Sequence, residues 1–183
     1  MRSLIESKKG NIGIIILFAV LLVVTLFIGF IMVVGSSIIN WTFDIAAPEL
    51  TDLGVIGDTN MTDVASYTIT PLNTLVQSTT WLTGVLYMMM LVGSIGIAVV
   101  FRTSPNKWLI GFYLGISLLV IITAMFISNV YEDFYDDTDD LGTRLKEHTL
   151  LSYMILYSPA IFSIIVFITG IILFSGIQED QYL

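Results

Sequence analysis

The chain has 183 residues, 56% of them hydrophobic, with a mean hydropathy of +0.91 and a formal net charge of −8; that balance belongs to a membrane protein rather than to one soluble domain of this length. It contains no Cys and a single His, which excludes, for a single chain, thiol catalysis, disulfides, Cys-based zinc or iron–sulfur sites and bis-His haem ligation. The pI near 4.3 sets the acidic surface against phosphate, so no nucleic acid is expected on it.

Four apolar runs, Ile12–Ile39, Trp81–Phe101, Trp108–Val130 and Leu150–Ile177, hold 28, 21, 23 and 28 residues and no Asp, Glu, Lys, Arg or His. A helix crosses a hydrocarbon core with about 20 residues, so each run is long enough to span. The expected fold is an all-α integral membrane protein with four transmembrane helices and a small acidic extramembrane cap.

The first span (12–39) follows Lys8-Lys9-Gly10. Those residues before a long apolar run resemble a prepilin processing site, but a pilin has one apolar helix and three further runs follow here. At 28 residues the run is about twice a signal-peptide core, and it is read as a retained helix starting near Gly10-Asn11. Trp41 stands where an interfacial aromatic would anchor its outer end.

The segment 40–80 carries Asp44, Glu49, Asp52, Asp58 and Asp63 and no Lys or Arg. It is read as an outer segment too apolar to be a disordered tail. Alternation over Ser66–Thr70 predicts a short strand, and Thr70-Pro71 reads as a helix N-cap and first turn. The second helix is therefore placed over 81–101, extended back to residue 71, with Leu72, Leu75 and Val76 as an apolar stripe. Asn40-Trp41-Thr42 and Asn60-Met61-Thr62 match the glycosylation pattern.

Ser104-Pro105-Asn106 predicts a tight turn into the third span, 108–130. Gly111-x-x-x-Gly115 there, and Gly93 and Gly96 in the second span, are the candidate positions for close helix packing. Met88-Met89-Met90, without Cys or His beside it, is read as adaptable packing rather than a metal conduit. The segment 131–149 is an acidic outer loop containing Glu132, Asp133, Asp136, Asp137, Asp139 and Asp140. Counted as a calcium loop from Asp136, it puts Asp136, Asp140 and Glu147 at ligand positions, but the glycine falls one place late at Gly142; a solvated acidic loop is the preferred reading, with no metal or other cofactor. His148 is read as a satisfied interfacial histidine.

The fourth span, 150–177, is expected to begin before the membrane, near Gly142–Leu145, and to kink at Ser158-Pro159; 178–183 form an inner tail. The intramembrane hydroxyls Thr25, Ser94, Thr123, Ser152, Tyr153, Tyr157, Ser158, Ser163 and Thr169 are expected to bond to helix backbone or neighbouring helices rather than to line a pore.

Sorted by alternate gaps, one side carries Arg2, Lys8, Lys9, Arg102 and Lys107 against Glu6, Glu179 and Asp180; the other carries twelve acids against Arg144 and Lys146. The basic side is expected to be cytoplasmic, or the inner face of a virion membrane, with both termini on it. Without a nucleophile, base and metal constellation the chain is not expected to be an enzyme. The preferred reading is a structural or assembly protein of the cell membrane or a virion internal membrane. Its partners are the lipid bilayer and other membrane or capsid-type proteins in a larger assembly, docked through Asp136, Asp137, Asp139 and Asp140. The alternative is a small oligomeric cation channel or carrier.

Overall fold

The computed structural model describes residues 12–100 and 107–175. The residues near Gly10-Asn11, the Ser104-Pro105-Asn106 turn, Phe101, Gly176-Ile177 and the 178–183 tail lie outside that range. Helix α1 covers Ile12–Asp52, strands β1 and β2 are Val55–Ile56 and Thr59–Asn60, and α2 covers Met61–Val100. Then come α3 (Lys107–Asp136), α4 (Asp140–Glu147), α5 (Thr149–Leu156) and α6 (Ser158–Phe174). Among the described residues the fold is all-α apart from the two-residue strands. Among the described residues three helices are long and apolar enough to cross a membrane on their own, and α5 with α6 makes a fourth when the interrupted pair is counted as one span.

The principal correction to the sequence reading is that helices do not stop where the apolar runs stop. Most of the outer segment 40–80 is helical: α1 continues into it to Asp52, and α2 begins at Met61, ten residues before the expected Pro71 start. Ser66–Thr70 is helical and not a strand. Its alternation of side chains lies mostly on an exposed surface, while Ala65, Ile69, Asn73, Val76 and Thr80 fall at helical spacing on the covered side. Pro71 sits inside α2 and Pro48 inside α1, both at exposed positions. The carbonyls that each proline leaves unbonded can there be met by water. Likewise 131–149 is not a loop, since α3 runs to Asp136 and α4 occupies Asp140–Glu147.

The reversal between α1 and α2 is built by identifiable residues. Gly54, at φ +62°, is the left-handed residue that ends α1, with its N–H donating to the Thr51 carbonyl at 3.1 Å. Gly57, at φ +64°, is the first residue of the two-residue turn that pairs β1 with β2 antiparallel. Asn60 then caps α2, its side-chain oxygen accepting the Thr62 N–H at 3.1 Å. A bond from the Met61 N–H to the Gly54 carbonyl (2.9 Å) closes the link.

The described residues divide into two compact units, one of residues 12–27, 87–100, 107–128 and 157–175, the other of 28–86 and 129–156. In the first, buried positions recur every three or four residues: Ile15, Phe18, Leu22 and Leu26; Tyr87, Leu91, Ser94 and Ala98; Leu109, Tyr113, Val120 and Ala124; Phe162, Ile165, Val166, Thr169 and Leu173. Tyr113 is its hub. Its ring stacks on Phe18 (6.3 Å between centroids) and meets Phe174 edge-on (5.3 Å), and its hydroxyl donates to the Val166 carbonyl at 2.6 Å. Gly170 leaves the room that ring needs: a Cβ there would come within 3.0 Å of it. At the start of α6, Ser158 and Pro159 occupy the first turn after a break at Tyr157, so the expected kink is a full interruption.

The core of the second unit includes Val33, Ser37 and Asn40 of α1, Thr80 and Thr83 of α2, Tyr131, Leu145, and Leu151, Ser152 and Ile155 of α5. The Tyr131 hydroxyl donates to Ser152 Oγ at 2.7 Å, and the Ser152 hydroxyl donates in turn to the Leu145 carbonyl at 2.6 Å. That relay ties α3, α4 and α5 together through satisfied polar groups.

Candidate functional site

The second unit holds all twelve acidic residues of the acidic side. Two contacts fasten α4 to α1. Arg144 pairs with Asp44 at 2.5 Å, and the Trp41 indole N–H donates to the Asp140 carboxylate at 3.2 Å. Gly142 fastens α4 to the end of α3, because a Cβ at that position would overlap the Asp137 carbonyl oxygen and press on that of Phe134. Only glycine allows the approach. Lys146 lies over the Tyr135 ring, 5.4 Å from its centroid. Both basic residues of this region therefore face groups of their own unit.

The expected docking carboxylates are all exposed and sit at different points of this structure. Asp136 is the last residue of α3, Asp137 and Asp139 lie in the turn, and Asp140 opens α4. Asp137 accepts the Asp139 N–H at 3.3 Å, and Asp140 accepts from Trp41. Asp140 and Glu147 stand at opposite ends of α4, about 10 Å apart along its axis at 1.5 Å per residue. The spacing that approaches a calcium loop is thus wound into a helix, and among the described residues no three His, Asp or Glu side chains gather where a metal could bind.

The helix-packing residues are corrected too. Gly93, Gly96, Gly111 and Gly115 are exposed, and a Cβ added at any of them meets nothing within 4 Å. Span three does not pack onto span two through Gly111 and Gly115 within this chain. Its covered side carries Leu109, Tyr113, Ser117 and Val120 instead. Met88 and Met89 also face outward, while Met90 sulfur lies 3.2 Å from the Thr25 hydroxyl.

Four of the intramembrane hydroxyls bond to the backbone of their own helices. Thr25, Thr123 and Ser163 donate to carbonyls four residues earlier, at 2.6, 2.9 and 2.7 Å, and Thr169 donates to Ile165. Of the two glycosylation patterns, Asn40 is only 2% exposed, and Asn60 is the cap of α2.

A further feature, which the sequence reading did not assemble, surrounds His148. This residue separates α4 from α5 and is half-buried, with its Nε2 3.5 Å from Ser36 Oγ. Burial pushes its pKa below the ordinary 6.5, opposed by the neighbouring Glu147 charge. Gln77, Thr80, Trp81 and Gly84 of α2 and Glu147, His148, Thr149, Leu150 and Leu151 enclose a cavity of about 200 Å³ beside it. Gly84 marks the near approach of α2 to α5, since a Cβ there would lie 3.3 Å from Leu150. Nothing in the spacing of Gln77, Thr80 and Trp81 relative to Glu147 and His148 signals this meeting, because it is made by two segments 63 or more residues apart in sequence.

No protein-family model matches this chain, and no curated protein or solved structure matches it either.

Proposed function

We propose that this chain is a non-enzymatic membrane anchor and assembly subunit whose acidic outer end docks a basic protein surface. In this reading α1, α2, α3 and the α5–α6 pair are four spans, both termini lie on the cytoplasmic or inner side, and the acidic cap is built from the second unit. As helices, α1 and α2 with 41 and 40 residues rise about 60 Å each, twice a hydrocarbon core of about 30 Å. The surplus belongs to their polar halves, which meet at the β1–β2 link and form a projecting helical hairpin.

The observation that carries the proposal is the character of that hairpin's tip. Leu53, Val55, Ile56 and Tyr67 are 56, 67, 51 and 81% exposed, and Asp52, Asp58 and Asp63 stand among them with no Lys or Arg anywhere in 40–80. Apolar side chains rimmed by one sign of charge suit a protein partner of the opposite sign. The carboxylates of Asp136, Asp137, Asp139 and Asp140, from the end of α3 to the start of α4, add to the same charge within the second unit. A virion membrane protein beneath a capsid and an accessory subunit of a cellular complex both fit. Internally bonded hydroxyls and uncharged spans favour this over the channel alternative.

The test is co-purification from native membranes in mild detergent, comparing the wild-type chain with the variant Asp136→Asn, Asp137→Asn, Asp139→Asn, Asp140→Asn. The expected result is a partner that dissociates with rising salt and is held less by the variant, with membrane insertion unchanged. Association indifferent to both salt and the four substitutions would refute the docking role.

A further inference from the structure

The cavity beside His148 presents hydrogen-bond acceptors. Glu147 is an exposed carboxylate at the end of α4. Thr80 donates its hydroxyl hydrogen to the Val76 carbonyl at 3.0 Å, leaving its oxygen as an acceptor. The Ser36 hydroxyl likewise donates to the Val33 carbonyl at 3.0 Å. His148 Nε2 meets that hydroxyl at 3.5 Å, and the imidazole tautomer decides which of the two donates. Gln77 adds an amide oxygen, and the Trp81 indole, 67% exposed, adds an electron-rich face.

The surroundings reinforce that polarity. The acidic side carries twelve carboxylates against Arg144 and Lys146, and both of those cations face Asp44 and Tyr135. No Lys or Arg lines the cavity, and Glu147 sets a negative charge there against an anion. A metal ion finds only Glu147 and His148, and no cluster of three ligands exists among the described residues. A hydrogen-bonding cation of several atoms fits both the acceptors and the 200 Å³ volume.

We infer that this cavity binds a primary ammonium group, held by the Glu147 carboxylate with Gln77 and Thr80 as acceptors and His148 and Trp81 as walls. Two sources share that chemistry: a soluble alkylamine and the ethanolamine headgroup of a phospholipid. Trp81 and Leu150 open the second and fourth apolar runs, so the cavity lies at headgroup depth if those runs span the bilayer. The ammonium site itself stands independently of the partner-docking proposal.

His148 is the only histidine in the chain, so histidine labelling gives one imidazole signal located in the site. The experiment follows that signal by NMR in the full chain, first in a maltoside micelle titrated with ethanolamine, with ethylene glycol as the uncharged analogue. It is then repeated in nanodiscs of phosphatidylcholine with and without phosphatidylethanolamine. The expected result is a saturable shift with ethanolamine, none with glycol, and an apparent affinity weakened roughly threefold to tenfold by Glu147→Gln. Glu147 is exposed at a helix C-terminus, so its neutralisation leaves the fold intact. A shift on adding phosphatidylethanolamine identifies the lipid as a source; a response to soluble amine alone identifies the soluble source. Equal responses to amine and glycol, no response to any probe, or an affinity unchanged by Glu147→Gln would overturn the assignment.

Discussion

Arg144 and Asp44 lie 2.5 Å apart, and through them an eight-residue helix, α4, is tied to the second half of α1. The Asp44 side chain is 52% exposed and that of Arg144 only 18%, so water screens the carboxylate while the guanidinium stem is covered. A double-mutant cycle with Asp44→Ala and Arg144→Ala should give a coupling of about 0.2–1 kcal/mol. Arg144→Ala alone should cost more than Asp44→Ala, because it also removes the packing of the stem. Equal single costs would show that the stem contributes nothing.

Gly142 is the less forgiving contact. A methyl group there meets backbone oxygen, which cannot turn aside as a side chain can, so α4 must move. Gly142→Ala should lower stability by about 1–3 kcal/mol, read by thermal unfolding in detergent. Gly115→Ala should not lower it, because that position opens onto empty space and alanine is the better helix former. A large loss at Gly115 would show that this face packs against a second chain.

What the sequence made legible follows from which physical signals are long and which are short. An uncharged run of 20 or more residues is a long signal, and the described part of each of the four runs is helical, the fourth interrupted at Tyr157 beside Ser158-Pro159. The helical continuation of α1 past Asn40 was obscured by Asp, Thr and Pro48, each of which reads locally as a loop residue. Yet Gly54, Gly57-Asp58 and Asn60 spell a helix stop, a two-residue turn and a helix cap in order, and together they mark the hairpin. In Ser66–Thr70 a local period of two competed with a helical period running from Ala65 to Thr80, and the longer pattern won. The packing of α4 was illegible for another reason: Trp41–Asp140 and Asp44–Arg144 join residues about 100 positions apart, and only the tertiary fold brings them together. The Gly111 and Gly115 spacing was visible, but spacing alone does not say which way a helix face points.

His148 makes a pH dependence. Its pKa is depressed in the folded chain and returns to about 6.5 on unfolding. The unfolded state therefore binds more protons in the window below 6.5, and stability rises with pH across it. Its contribution is complete above pH 6.5 and is lost as pH falls through the folded value. Melting of the wild-type chain at pH 7.5 and pH 5.0 should differ by more than melting of His148→Gln, whose side chain cannot titrate. The same difference in both proteins would assign the dependence to carboxylates alone.

The central claim is that the acidic hairpin projects from one face of a membrane while the N-terminus lies on the other. The chain has no native cysteine, so single substitutions Thr59→Cys, in β2 at the hairpin tip, and Ser3→Cys provide clean reporters. With a membrane-impermeant maleimide on intact cells, Thr59→Cys should label at once and Ser3→Cys only after permeabilisation. Labelling of both from the same side would contradict the account.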